Sequence, residues 1–141
     1  MNPFEFFIPQ NIIVGAGTLV RLPECAQKLG GTHAMLLSGP TLRKMGIVDK
    51  AAKYLEDAGM KVDIFTEIEA NPSVTTVEKA TTAFKEAGAD FIVALGGGSP
   101  MDVAKAVGVT AKYGGSITEY EGAHKVPGKI IPLIAIPTTA G

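Results

Sequence analysis

Two periods of apolar residues take turns along the chain. AMLLSGP (34–40), KVDIFTEI (61–68), DFIVALGGG (90–98) and KIIPLIAIPTT (129–139) are short apolar runs closed by turn residues, the pattern of strands. Between them the spacing is helical. Leu42, Met45, Val48, Ala52 and Leu55 share one face over residues 41–58, with Gly46 as a break and Gly59 as the stop. Val77, Ala80, Phe84 and Ala87 do the same in TTVEKATTAFKEAG (75–88), where Thr75 and Glu78 have the spacing of a capping box. GAGTLVRLPECAQKLGG (15–31) predicts a helix with Thr18 as N-cap and Gly30-Gly31 as its end, and SPMDVAKAVGVTAKYG (99–114) predicts another.

Repeated strand-helix units with short connections imply an α/β fold, a Rossmann-like parallel sheet flanked by helices on both sides. DFIVALGGG is the most apolar run and so the central strand, covered on both faces. PFEFFIP (3–9) and NIIVG (11–15) predict a short amino-terminal strand pair at a sheet edge. GGSITEYEGAHKVPGK (114–129) is polar and rich in turn residues, which predicts a long surface loop.

Composition adds boundaries rather than detail. The length of 141 residues suits one domain, and a net charge of −1 with no dense Lys/Arg run argues against a nucleic-acid surface. No run reaches the ~18 apolar residues of a membrane span, and MNPFEFFIPQ lacks the basic head and apolar stretch of a signal peptide. With Cys25 as the single cysteine, no internal disulfide forms, which fits a reducing cytoplasm. Cys25 sits in a helical pattern and reads as a small core residue. The final IPLIAIPTTAG is a strand running into a turn, so the chain is expected to be a truncated or isolated part of something longer.

The candidate chemistry lies in LGGGSPMDVAKA (95–106). Three glycines stand where the central strand hands over to a helix, at the carboxyl end of the sheet where open α/β folds bind ligands. Ser99 reads as N-cap and Pro100 as the first helical residue. A helix start of this kind attracts phosphate, and glycines before it let a diphosphate reach the main chain. The alternative is a tight turn and nothing more, although one glycine normally suffices for that. The motif is neither G-x-G-x-x-G nor a P-loop.

GGGSPMDVAKA, preceded by NPS (71–73) and followed by IPTTAG (136–141), resembles the iron-containing, or group III, alcohol dehydrogenases of the dehydroquinate synthase-like superfamily. The early FxxPQNIIVGAG and the turn after AMLLSG extend the resemblance over the whole chain. It implies an amino-terminal domain, residues 1–141 here, that binds NAD or NADP. The family's helical domain, which holds Fe2+ or Zn2+ through one aspartate and three histidines, is absent from this sequence. The implied activity is reversible hydride transfer between an alcohol or aldehyde and the nicotinamide, with this chain inactive by itself. Implied partners are the dinucleotide, a small alcohol or aldehyde, and further copies in a homo-oligomer. Independently of the resemblance, PFEFFIP is apolar enough to be an edge strand that pairs with another copy, a route to a dimer.

Position by position, the resemblance assigns Gly97, Gly98 and Ser99 to the cofactor diphosphate and sets Asn71 beside the cofactor. Thr138 and Thr139 would contact it from the mouth of the last strand. Asp102 either takes a cofactor role or pairs with Ser99 to cap the helix. NAD-preferring members carry an acid where this chain has Gly39, so NADP is expected to be tolerated; the alternative is a glycine that only shapes the turn. Two other readings stand beside the leading one: a glycerol-type polyol dehydrogenase or dehydroquinate synthase relative, and a non-catalytic nucleotide-binding or association module. His33 and His124 have no metal-ligand spacing and read as surface histidines, and no residue can be named as a catalytic acid or base.

Overall fold

The inner strands form where β-branched and other apolar side chains are buried on both faces, while the edge strand Lys61–Phe65 keeps Lys61 and Asp63 exposed. In a computed structural model of the chain, which describes residues 12–14, 19–120 and 125–137, five strands make one sheet. In chain order the elements are β1 (Ile12–Val14), α1 (Leu22–Lys28), β2 (His33–Leu37), α2 (Pro40–Lys44), α3 (Ile47–Asp57), β3 (Lys61–Phe65), α4 (Val74–Ala87), β4 (Phe91–Gly96), α5 (Gly98–Tyr113) and β5 (Leu133–Pro137). All neighbours are parallel, in the order β1-β5-β4-β2-β3.

Alternation along the strands divides the core into two layers. Met35, Leu37, Ile92 and Ala94 face α4 and α5, meeting Val77, Phe84, Val103 and Val107. Ala34, Leu36, Val93 and Leu95 face the opposite layer of Leu22, Leu42, Val48 and Leu55 from α1, α2 and α3. Every residue of β4 is buried, as a strand covered on both faces requires. Each fully buried Leu, Ile or Phe in these layers contributes roughly 1.5–3 kcal/mol of transfer free energy.

The helical break expected at Gly46 is present: α2 ends before it and α3 starts after it, with Gly46 at φ 83°. Within NIIVG, Ile12–Val14 form β1, the edge strand among the described residues, paired parallel with β5. PFEFFIP and Thr18 lie outside the described residues. The capping box of α4 is not Thr75–Glu78. Ser73 accepts from the Thr76 N–H, and the Thr76 hydroxyl accepts from the Ser73 N–H, because the helix starts at Val74, earlier than the apolar period shows.

The 114–129 segment is also more than a surface loop. Ile117 and Val126 are buried in the α4–α5 layer, and so is Ile130 just beyond it. Tyr113 donates to the Lys129 carbonyl and Tyr120 to the Gly114 carbonyl, both at 2.6 Å. His33 likewise departs from the surface reading: its side chain is 15% exposed and its Nε2 lies 2.6 Å from Asp63 Oδ2. Cys25, half-buried, packs against the α1–α3 layer.

Candidate functional site

The chain leaves β2 toward β3 on one side, then crosses back to β4 and continues to β5 on the other. The connections at the carboxyl ends of β2 and β4 therefore diverge, which opens a crevice at a topological switch point. A cavity of about 390 Å³ occupies this place, walled by the turn after β2 (Gly39 to Leu42), the loop after β3 (Ile68 to Ala70) and the start of α5.

Side-chain hydroxyls hold these walls together. Ser38 is fully buried; its hydroxyl donates to the Leu95 carbonyl at 2.9 Å and its N–H to the Phe65 carbonyl at 3.2 Å. One residue thus ties the ends of β3 and β4 to β2, immediately before Gly39. Sequence reasoning passed over Ser38; its signal was a lone serine ending an otherwise apolar strand. Ser99 donates to the Ala70 carbonyl at 2.8 Å, which brings the loop carrying Asn71 to the first turn of α5.

That bond changes the expected role of Ser99. The N-cap of α5 is Gly97, with extended backbone and no side-chain cap, and Ser99 lies inside the first turn with Pro100 after it. A glycine cap costs only a few tenths of a kcal/mol relative to serine, and the serine hydroxyl is engaged elsewhere. The Ser99–Asp102 capping pair does not form. The first N–H groups of a helix have no intrahelical partner, so those of Gly97, Gly98 and Ser99 are left for a ligand. Pro100 has no N–H to satisfy.

The three glycines divide by function. Gly96 has φ +125°, and a Cβ there would press Leu42 Cδ1 at 3.3 Å and Pro100 Cγ at 3.4 Å, so fold geometry alone accounts for it. Gly97 and Gly98 have no positive φ, and a Cβ on either would meet nothing within 4 Å. Neither conformation nor packing requires glycine there. Bare backbone before the positive end of a sixteen-residue helix fits a diphosphate that must come close to the main chain.

Gly39 and Ser99 line the cavity directly, and Ala70 brings Asn71 to its border. Asp102 follows one turn along α5. Burial pushes its carboxyl above the ordinary carboxylate range, with Lys105 pulling the other way. Thr138, Thr139 and His124 lie outside the described residues. Among the described residues no group of three or more His, Cys, Asp or Glu could hold a metal, and no helix is long and apolar enough to cross a membrane. Within these residues the arrangement can bind and orient a nucleotide, and it offers no acid, base or nucleophile placed for chemistry.

Fold and crevice define an α/β domain with a parallel sheet and a ligand-sized opening at its carboxyl end. The family model for iron-containing alcohol dehydrogenase matches residues 9–141, and the chain belongs to that family. It is 35% identical over 97% of its length to the NAD-dependent methanol dehydrogenase of Bacillus methanolicus, covering 36% of that protein. Among solved structures it is similar to 1,3-propanediol oxidoreductase, with a TM-score of 0.84 and 37% identity over 98% of this chain and 36% of the other. It is also similar to sulfoacetaldehyde reductase from Bifidobacterium kashiwanohense in complex with NAD+, with a TM-score of 0.79 and 31% identity over 97% of this chain and 36% of the other. The chain spans about a third of the length of these relatives.

Proposed function

We propose that residues 1–141 are the NAD(P)-binding domain of a metal-dependent alcohol dehydrogenase that transfers hydride reversibly between an alcohol or aldehyde and the nicotinamide. The observation that carries this is Gly97 on the wall of an open crevice at the switch point with Gly98 beside it, both bare and neither required as glycine by the fold. The free N–H groups of Gly97, Gly98 and Ser99 hold the diphosphate, and Asn71, Thr138 and Thr139 contact the rest of the dinucleotide. Asp102 takes its cofactor role, since the capping alternative is not realised and its charge is disfavoured where it stands.

Gly39 carries no acid and faces open space, so the turn after β2 admits NADP as well as NAD. A bound nicotinamide would supply the hydride chemistry; a divalent metal, iron or zinc, for which the described residues offer no ligand set, would supply Lewis-acid polarisation of the substrate oxygen. The reading extends to a cytoplasmic homo-oligomer, supported by the single cysteine and by the apolar PFEFFIP segment. The same domain would serve a diol substrate, a reading that similarity to 1,3-propanediol oxidoreductase supports.

The test is calorimetric titration of the chain with NAD+ and NADP+, beside the double variant Gly97→Ala, Gly98→Ala. Saturable binding that the double variant loses supports the cradle. Binding of equal strength in both chains removes the glycines from the site.

A further inference from the structure

The cavity wall holds one charged side chain among its described lining residues, Glu69 of the loop after β3. It does not hang free. The Thr76 hydroxyl donates to Glu69 Oε1, and Thr76 is itself buried. The Ser73 N–H donates to Thr76 Oγ1 at 3.2 Å, which turns the threonine proton outward to the carboxylate. The capping box of α4 thereby anchors one oxygen of Glu69. Among the described residues no protein group bonds the other oxygen, Oε2. The loop is pinned a second time, by Ser99 to the Ala70 carbonyl at 2.8 Å.

A carboxylate fixed at one oxygen and open at the other is an acceptor waiting for a donor. The anchoring lowers the entropy that ordering a long side chain would cost on binding. Among the described residues no cationic side chain shares the cavity wall, and Arg43, at the far end of α2, lies with Nε 3.4 Å from Asp49. An added phosphate set against Glu69, away from the α5 helix end that takes the diphosphate, therefore meets negative charge with no cationic side chain of the described wall to offset it.

We propose that Glu69 reads the nucleotide: Oε2 accepts a hydrogen bond from a neutral donor of the dinucleotide, a ribose hydroxyl or the adenine amino group, and the carboxylate repels an additional phosphate. This rests on the dinucleotide reading of the crevice. Gly39 removes one barrier to NADP, and Glu69 supplies another from the neighbouring strand, so the preference between the two nucleotides is set by Glu69.

Glu69→Gln isolates the charge, because the glutamine carbonyl still accepts from Thr76. The ratio of NADP+ to NAD+ affinity, measured by calorimetry, is expected to rise about tenfold in this variant, as loss of one like charge a few ångströms away implies. A second measurement needs no substitution. In the unaltered chain the same ratio is expected to rise when salt increases from about 0.05 M to about 0.5 M, because screening weakens the repulsion. Binding of both nucleotides with a ratio that Glu69→Gln leaves unchanged, or a ratio that falls with salt, overturns this proposal alone. Failure of the unaltered chain to bind either nucleotide overturns the dinucleotide reading and this proposal with it.

Discussion

At the amino end of the sheet, around β2, polar side chains meet protein partners; at its carboxyl end, past β4, the main chain of Gly97 and Gly98 is left bare. Asp90 closes the amino end. Its Oδ1 accepts from the N–H groups of Thr32 and His33 at 3.1 and 3.0 Å, and its Oδ2 from the Thr32 hydroxyl at 2.5 Å. His33 reaches Asp63 across to β3, and the Asp90 N–H returns to the His33 carbonyl at 2.9 Å. At the other end, Gly97 caps α5 with no side chain, and a Cβ on Gly97 or Gly98 would touch nothing. The carboxyl end also ties its walls, through Ser38 and Ser99, yet it leaves the Gly97-Gly98 main chain uncovered, which is where a ligand can complete it.

The largest separation between the two ends comes from the glycines. Gly97→Ala with Gly98→Ala is expected to weaken nucleotide binding at least a hundredfold, since two methyl groups would occupy the diphosphate's approach. Thermal stability is expected to stay within about 4 °C of the parent, because the added methyls meet no protein atom and the helix propensity that alanine gains at Gly98 offsets what it loses as the cap at Gly97. Calorimetry and a melting curve on the same sample check both halves. A large fall in melting temperature would show that the glycines serve the fold, and the contrast between the ends would collapse.

Asp90→Ala should do the reverse. It strips three donors of their acceptor, and about 1–2 kcal/mol of stability is expected to go, in the lower part of the hydrogen-bond range because the group is exposed. Nucleotide affinity of the folded variant is expected to change less than twofold. Denaturant melts give the first number and calorimetry the second; a matching loss of affinity would mean that the ends are coupled through β2 and β4.

A smaller effect belongs to Ser99→Ala. The hydroxyl that holds the Ala70 carbonyl is lost, so the loop with Asn71 is freed from α5 at a cost of about 1 kcal/mol, or roughly fivefold in nucleotide affinity. Stability is expected to fall by no more than that. A variant that binds as tightly as the parent would show that the loop is held without Ser99.

Local pattern reached most of the fold because burial is periodic here. β2, β4 and β5 are apolar on both faces, and the break at Gly46 and the stop at Gly59 require a backbone that glycine adopts readily. The positions that escaped pattern reading depend on long-range bonds. Ser99 looks like an N-cap until Ala70, 29 residues away, takes its hydroxyl, and Ser38 looks like a turn residue until Leu95, 57 residues away, does the same. The glycine triplet was legible as a place where a ligand binds, but the division between Gly96 and its two successors needed neighbours that no local sequence encodes. Glu69 gave no signal at all, since its environment is assembled from Thr76 and from walls on three different connections.

The smallest predicted effect is a dependence of the amino end on acid. Partial burial alone would raise the Asp90 carboxyl, but the Thr32 hydroxyl, the N–H groups of His33 and Thr32, and the nearby His33 ring outweigh it and hold the group below its ordinary 3.8. A carboxylate with a depressed folded value contributes stability above its unfolded value and loses that contribution as pH falls through the folded one. The loss therefore belongs below about pH 4, and exposure keeps it under about 1 kcal/mol. Denaturant melts of parent and Asp90→Asn between about pH 6 and pH 2 read it directly. The parent is expected to lose stability more steeply on the acid side, so that the two chains converge as the carboxylate is protonated. Equal slopes in parent and variant would show that the Thr32 and His33 bonds do not favour the charged form, and the amino end would then owe its stability to packing and to the β2–β3–β4 ladder instead.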